Sequence, residues 1–285
     1  MKKTILICIL MCLCITGAAN ALSIPANGLV AHYALDGNAN DRLSNNTGIV
    51  NGATLTTDRF GNPNSAYYFG GNGENIIIDD SPAFDFGTFG TDDFTISIQA
   101  NITSPLTRNN IFMGEWYGYG GDPGNWVMHP FTNGAVSFAF DHPGGTSGGQ
   151  THTHLEGGKH YAINQWHVYT AIRSGNQLSF YVDDVKGDSL TIDPDLPFGI
   201  KNNLFLGWLG ADSGSVLVNY NFQGSLDNLL VYDRALSDTE VSQLAFATSN
   251  DPVGSNPIPE PTTMALFGFG LLGLAGMGRR KTVNI

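Results

Sequence analysis

The chain has 285 residues and a formal net charge of −12, from 13 Lys and Arg against 25 Asp and Glu. So acidic a surface repels nucleic acid phosphates and anionic membranes, and suits neutral partners or divalent cations. The three cysteines, Cys8, Cys12 and Cys14, all lie near the N-terminus, so the rest of the chain offers neither disulfides, nor thiol catalysis, nor a cysteine metal site.

Met1-Lys2-Lys3 is a basic start, Thr4 to Ile15 is almost wholly apolar, and Ala19-Asn20-Ala21 supplies a small-x-small cleavage pattern. Residues 1–21 read as a secretory signal peptide, which takes the cysteines out of the mature protein. Roughly 225 residues follow before the C-terminal tail, enough for one all-β domain of the larger kind. Asp36, Asn38, Asn40 and Asp41 then cluster in one stretch. Such residues supply oxygen ligands to Ca²⁺, and equally form turns by satisfying their own backbone; both readings stand.

Short alternating runs come next, bounded by Gly, Asn, Asp and Pro. Phe94, Ile96, Ile98 and Ala100 share a face, as do Val136, Phe138 and Phe140. Trp166, Val168, Thr170 and Ile172 face away from His167, Tyr169 and Arg173. Leu178, Phe180 and Val182 align, then Leu204, Leu206 and Trp208, then Val216, Val218, Tyr220 and Phe222. Period-two alternation of this length predicts half-buried antiparallel strands, and Ser174–Gln177 reads as a hairpin turn. Between two of these runs lies Gly114–Trp126, a glycine-rich loop whose Trp116, Tyr117, Tyr119 and Trp126 suit a flat sugar-stacking platform, with Glu115 and Asp122 as hydroxyl partners. His142, His152, His154 and His160 crowd another glycine-rich stretch. Imidazoles so placed suit Zn²⁺ or Cu²⁺, but no H-E-x-x-H is present and a polar strand edge is the plainer reading.

Helical grammar is confined to Leu236–Ala245, where Ser237 and Glu240 form a capping box ahead of Val241, Leu244 and Ala245. Residues 248–258 are polar and rich in Pro and Gly, predicting a flexible linker. Pro259-Glu260-Pro261 follows, then an apolar span over about residues 262–278, just long enough to cross hydrocarbon, and the basic Arg279-Arg280-Lys281 that holds its end in the cytoplasm.

Two stretches carry family resemblances. The phrase from Phe222 through Gly224, Leu226, Asp227, Leu229, Val231, Tyr232, Arg234, Ala235, Leu236 and Ser237 to Glu240 resembles the closing strand and helix of laminin-G-like domains of the concanavalin A-like superfamily. The opening phrase Tyr33 to Asp41 and the Ala66-x-x-Phe69-x-Gly71 phrase fit bacterial members. The resemblance implies one all-β domain over residues 22–247, a two-sheet antiparallel jelly-roll sandwich. It also implies a Ca²⁺ site near the sandwich rim, with Asp41 and Asp227 as the ligand pair. Glucanases of that superfamily carry an E-x-D-x-x-E strand motif, which this chain lacks. Its closest carboxylates (Asp79-Asp80, Asp92-Asp93, Asp183-Asp184) are adjacent and point to opposite faces, and no phosphate loop is present. The sequence therefore leads to the expectation of a protein that is not an enzyme.

Residues 259–281 resemble the PEP-CTERM sorting signal of exopolysaccharide-producing Gram-negative bacteria, a single transmembrane helix flanked by Pro259-Glu260-Pro261 and Arg279-Arg280-Lys281. That resemblance implies an exosortase, a membrane-embedded protease, as partner. It also implies an inner-membrane intermediate, then delivery to the outer surface or matrix. The combined expectation is an exported module binding carbohydrate or another surface component, touching membrane only through its tail. The alternatives are a purely structural matrix protein and a polysaccharide-cleaving enzyme.

Overall fold

The computed structural model describes residues 22–84, 93–103, 110–115, 125–130, 134–143, 150–158, 162–193, 202–207 and 221–251. Among them run β1 (Leu29–Tyr33), β2 (Ile49–Asn51), β3 (Thr54–Thr56), β4 (Ala66–Gly70), β5 (Asn75–Ile78), β6 (Phe94–Ile102), β7 (Met113–Glu115) and β8 (Trp126–Pro130). Then come β9 (Val136–Pro143), β10 (Gln150–Glu156), β11 (Trp166–Ser174), β12 (Gln177–Val182), β13 (Val185–Thr191), β14 (Leu204–Leu206), β15 (Gln223–Tyr232) and the helix α1 (Asp238–Phe246).

They form two antiparallel sheets, as the alternation predicts. The first has the order β13-β12-β11-β6-β15-β4-β3, with β1 also paired to β15; the second has the order β10-β9-β8-β7-β14-β5-β2. Every other residue of the long strands enters the space between them. Ile96 and Ile98 of β6, Leu178 and Phe180 of β12, Phe138 and Phe140 of β9, and Leu204 and Leu206 of β14 all join one buried cluster there. The β11–β12 connection is the expected tight hairpin, with Ser174 opposite Gln177 and Gly175 at φ 56°, a conformation glycine adopts without strain.

The strands of the first sheet are more buried than half-buried alternation implies. Nearly every residue of β6, β11 and β15 is buried on both faces, because a second layer covers the outer side. Val168, Ile172, Leu230 and Tyr232 there pack against Ile24 and against Val241 and Leu244 of α1. The closing phrase of the sequence builds that layer. Ser237 accepts from Glu240 N while the Glu240 carboxylate accepts from Ser237 N. Arg234 pairs with Glu240 and donates from Nε to Asn27 O at 2.8 Å, and Tyr232 Oη donates to Pro25 O at 3.0 Å. The shared phrase thus fastens the two ends of the sandwich together.

The predicted flexible linker over 248–258 is corrected at its start. Thr248 N donates to Leu22 O at 3.0 Å, Asn250 is buried, and Asp251 pairs with Arg42. The folded body therefore runs past Ala247 to Asp251, because this segment supplies hydrogen bonds the outer face needs. Trp208, most of the run from Val216 to Phe222, the signal peptide over 1–21 and the transmembrane span over 262–278 lie outside the described residues. Among the described residues no helix is long and apolar enough to cross a membrane.

Candidate functional site

Two regions concentrate polar chemistry. The first is the rim where the turn after β1, the turn at residues 58–65 and the docked segment 248–251 meet. A hollow of about 190 Å³ is lined there by Asp36, Asp58, Phe60, Asn62, Asn250 and Asp251. A neighbouring one of about 240 Å³ is lined by residues of the 34–42 turn. Both are below the roughly 300–1,000 Å³ of ordinary small-molecule sites. Arg42 spans the rim, pairing with Asp36 at 2.7 Å and with Asp251. Partial burial raises the Asp36 carboxyl despite Arg42, and Asp251 and Asp58 push it the same way.

The rim carboxylates mostly organise their own loops. Asp41 Oδ1 accepts from His32 N at 2.8 Å and Leu43 N at 3.1 Å, and its Oδ2 accepts from Ser44 Oγ at 2.5 Å. Asp58 likewise accepts from Phe60 N and Asn62 N, both at 2.8 Å. Asp227 is different. It is fully buried on the outer face of β15, its Oδ2 accepts from Asn250 Nδ2 at 2.7 Å, and its Oδ1 has no hydrogen-bond partner. Its cross-strand neighbour Gln99 donates from Nε2 to Asn250 Oδ1 at 2.9 Å, leaving Oε1 without a partner as well. Burial pushes the Asp227 carboxyl well above the usual range, and Asp36 and Asp58 add to the push. Tested as a Ca²⁺ pair, the two residues do not match: Asp41 has both oxygens committed to protein donors, whereas Asp227 keeps one oxygen unshared. Among the described residues no three His, Asp or Glu side chains gather as a metal cage.

The second region is the far end of the second sheet. The β7–β8 and β9–β10 hairpins open toward the same end, since the four strands form an antiparallel meander. Glu115 pairs with Trp126, and Asp141 N donates to Asn125 O at 2.9 Å, so the stems of the two loops are tied together. Trp116, Tyr117, Tyr119 and Asp122 belong to the first loop and lie outside the described residues. Trp126 corrects the predicted platform. It is 1% exposed and stacks on Phe138 at 5.5 Å, because strand pairing turns it into the space between the sheets. Glu115 is buried beside it.

The outer face of the same sheet carries what the sequence reading missed. Trp126, Met128, Phe138, Phe140 and Leu155 face inward, so Val127, His129, Ser137, Ala139, Asp141 and His154 face outward. Ser137 Oγ lies 3.3 Å from His129 Nε2 and 3.3 Å from His154 Nδ1. The two rings meet edge to face at 5.3 Å. β10 is the edge strand, in keeping with the polar-edge reading of its histidines, and His154 is exposed. The missed signal was the alternation in Trp126–Pro130, which sets His129 opposite the core-facing Trp126 and Met128.

This sandwich defines the class. Residues 70–242, more than half of the chain, match the family described as the concanavalin A-like lectin/glucanases superfamily, and the protein belongs to it. Residues 257–281 match the PEP-CTERM protein-sorting motif, the mark of an exported protein that passes the membrane and is processed by an exosortase. The sorting residues Pro259, Glu260, Pro261, Arg279, Arg280 and Lys281 all fall in that match and outside the described residues.

Solved structures share the fold. A sialidase of Trypanosoma rangeli in complex with the inhibitor DANA superposes with a TM-score of 0.56 at 16% identity, over 78% of this chain and 33% of the sialidase. The binding domain of Paraclostridial Mosquitocidal Protein 1 superposes with a TM-score of 0.57 at 18% identity, over 76% of this chain and 52% of that domain. The chain thus spans about a third of the sialidase and half of the binding domain. No curated protein matches it in sequence. The expectation of a protein that is not an enzyme is overturned here. Sialidases, among them one caught as a covalent intermediate, hold the same sandwich, so the fold is one that enzymes possess.

Proposed function

We propose that the protein is an exported surface module that binds carbohydrate at the loop-bearing end of its second sheet. The observation that supports this is the convergence of the β7–β8 and β9–β10 stems. It brings the roots of the aromatic loop and of a glycine-rich loop side by side. Trp116, Tyr117 and Tyr119 supply the stacking surface, with Asp122 as a hydroxyl partner; Trp126 holds the loop root from within the core. Rings that are amphipathic and rigid bind sugar faces at low entropic cost. After exosortase processing the module resides at the outer surface or in the extracellular matrix, with polysaccharide as its partner.

A glycan array probed with the purified protein, with and without Ca²⁺, tests the reading. Saturable binding is expected, and Trp116→Ala should weaken it about 30-fold, the loss of roughly 2 kcal/mol typical of a central aromatic anchor. Silence on the array under both conditions would remove the carbohydrate reading and leave a structural matrix protein. Sorting is tested separately: Pro259→Ala or Glu260→Ala should leave full-length protein in the membrane fraction, and normal release of both variants would refute it.

A further inference from the structure

The outer face of β8, β9 and β10 lies apart from the rim and is not used by the sugar-binding reading. We propose that His129 and His154 form a binding site for a borderline divalent ion, Cu²⁺ or Zn²⁺, with Ser137 Oγ or water completing the coordination. The geometry behind this is convergence. Two imidazole nitrogens from different strands, His129 Nε2 and His154 Nδ1, aim at one point, each 3.3 Å from the same hydroxyl oxygen. Imidazole suits these ions, which sit about 2.0–2.1 Å from each nitrogen.

The local sequence builds the site. In the register His129 stands opposite Ser137, and His154 opposite Ala139. The two histidines are therefore diagonal neighbours, and the small side chains between them let the rings meet. His129 Nδ1 lies 3.3 Å from Pro130 O, an acceptor only. A ring proton on Nδ1 meets that acceptor, the orienting role that carbonyls play for metal-bound histidines. His129 is buried and His154 exposed, so one ligand is fixed and the other is open to solvent. In the β9–β10 register His152 stands opposite Asp141, next along the same two strands. A bound ion would fasten the edge strand β10 to β8 across β9, and no cysteine outside the first residues competes for it.

The test is calorimetric titration of the mature chain, without residues 1–21 and their three cysteines and purified without a histidine tag, with Cu²⁺ and with Zn²⁺ in separate runs. Saturable binding of one ion per chain is expected, tighter for Cu²⁺ than for Zn²⁺. The Cu²⁺ complex should show hyperfine coupling to two nitrogens in its electron paramagnetic resonance spectrum. His154→Ala, a change at an exposed position, should weaken binding at least tenfold and remove one nitrogen coupling, with its circular dichroism unchanged. His129→Gln should do the same and serves as the second variant. No saturable binding of either ion, or wild-type binding retained in His154→Ala, would overturn the proposal.

Discussion

Asp227 keeps one oxygen without a partner in a fully buried position, beside a glutamine oxygen in the same state. The raised carboxyl resolves the conflict: a proton on Asp227 removes the buried charge and supplies the missing donor. The folded state then holds a proton that the unfolded chain has lost above its ordinary value of 3.8. Stability must therefore fall as pH rises from there toward the folded-state value. Asp227→Asn should flatten that decline, matching the wild type near pH 4 and exceeding its Tm at pH 7. Each tenfold difference in proton affinity is worth about 1.4 kcal/mol, or roughly 3–5 °C in a domain of this size. His32 acts in the opposite sense. Burial, helped by Arg42, lowers it from 6.5 to about 4, so stability should fall as pH drops through that interval. His32→Gln should flatten this acid limb in the same series of thermal melts. Because the two slopes oppose each other, each assignment is read from the difference between variant and wild type, and a Tm difference that does not change between pH 4 and 8 would refute the assignment of that residue.

At the scale of elements, α1 shows how local and distant signals divide. Its start is written in sequence: Ser237 and Glu240 are three residues apart, and both halves of the box form. Its end has no basic residue in the last turn. Arg59, from a turn far away in the chain, instead donates to the carbonyls of Leu244, Ala245 and Ala247 at 3.3, 3.1 and 3.2 Å. Ser237→Ala should cost about 1 kcal/mol. Arg59→Ala should cost about 2 kcal/mol, since three carbonyls lose a charged donor. Arg59→Lys should restore only part of this, because an ammonium lacks the planar fork. Shifts of the urea midpoint at constant m-value would measure all three. The same division explains what was legible. Strands, hairpin and helix cap rest on neighbours a few residues apart and were readable. The two-sided burial of β6, β11 and β15 depends on a layer brought from both ends of the chain. Trp126 read as a sugar platform because a tryptophan beside a glycine-rich loop gives no hint of which face its strand pairing selects. His129 and Ser137 looked like ordinary strand residues until the register made them neighbours of His154.

At the scale of the molecule, the sandwich closes by joining its two ends, and this fixes where the sorting tail can be removed. Leu22 O accepts from Thr248 N, and Asn250 bridges Gln99 and Asp227 across two central strands. Ending the chain at Ala247 would strip Gln99 and Asp227 of these hydrogen bonds and Arg42 of Asp251. Leaving a buried polar group unsatisfied costs about 1–3 kcal/mol, while the exposed ion pair contributes about 1 kcal/mol or less. Residues 22–247 should therefore melt lower than residues 22–251, by on the order of 10 °C. Asn250→Ala within the longer form should reproduce most of the loss, which assigns it to the bridge rather than to length. The sorting motif begins at residue 257, beyond this segment. Cleavage within the motif should accordingly leave Tm unchanged relative to residues 22–251, whereas equal Tm values for the 247 and 251 forms would show that the docked segment contributes nothing.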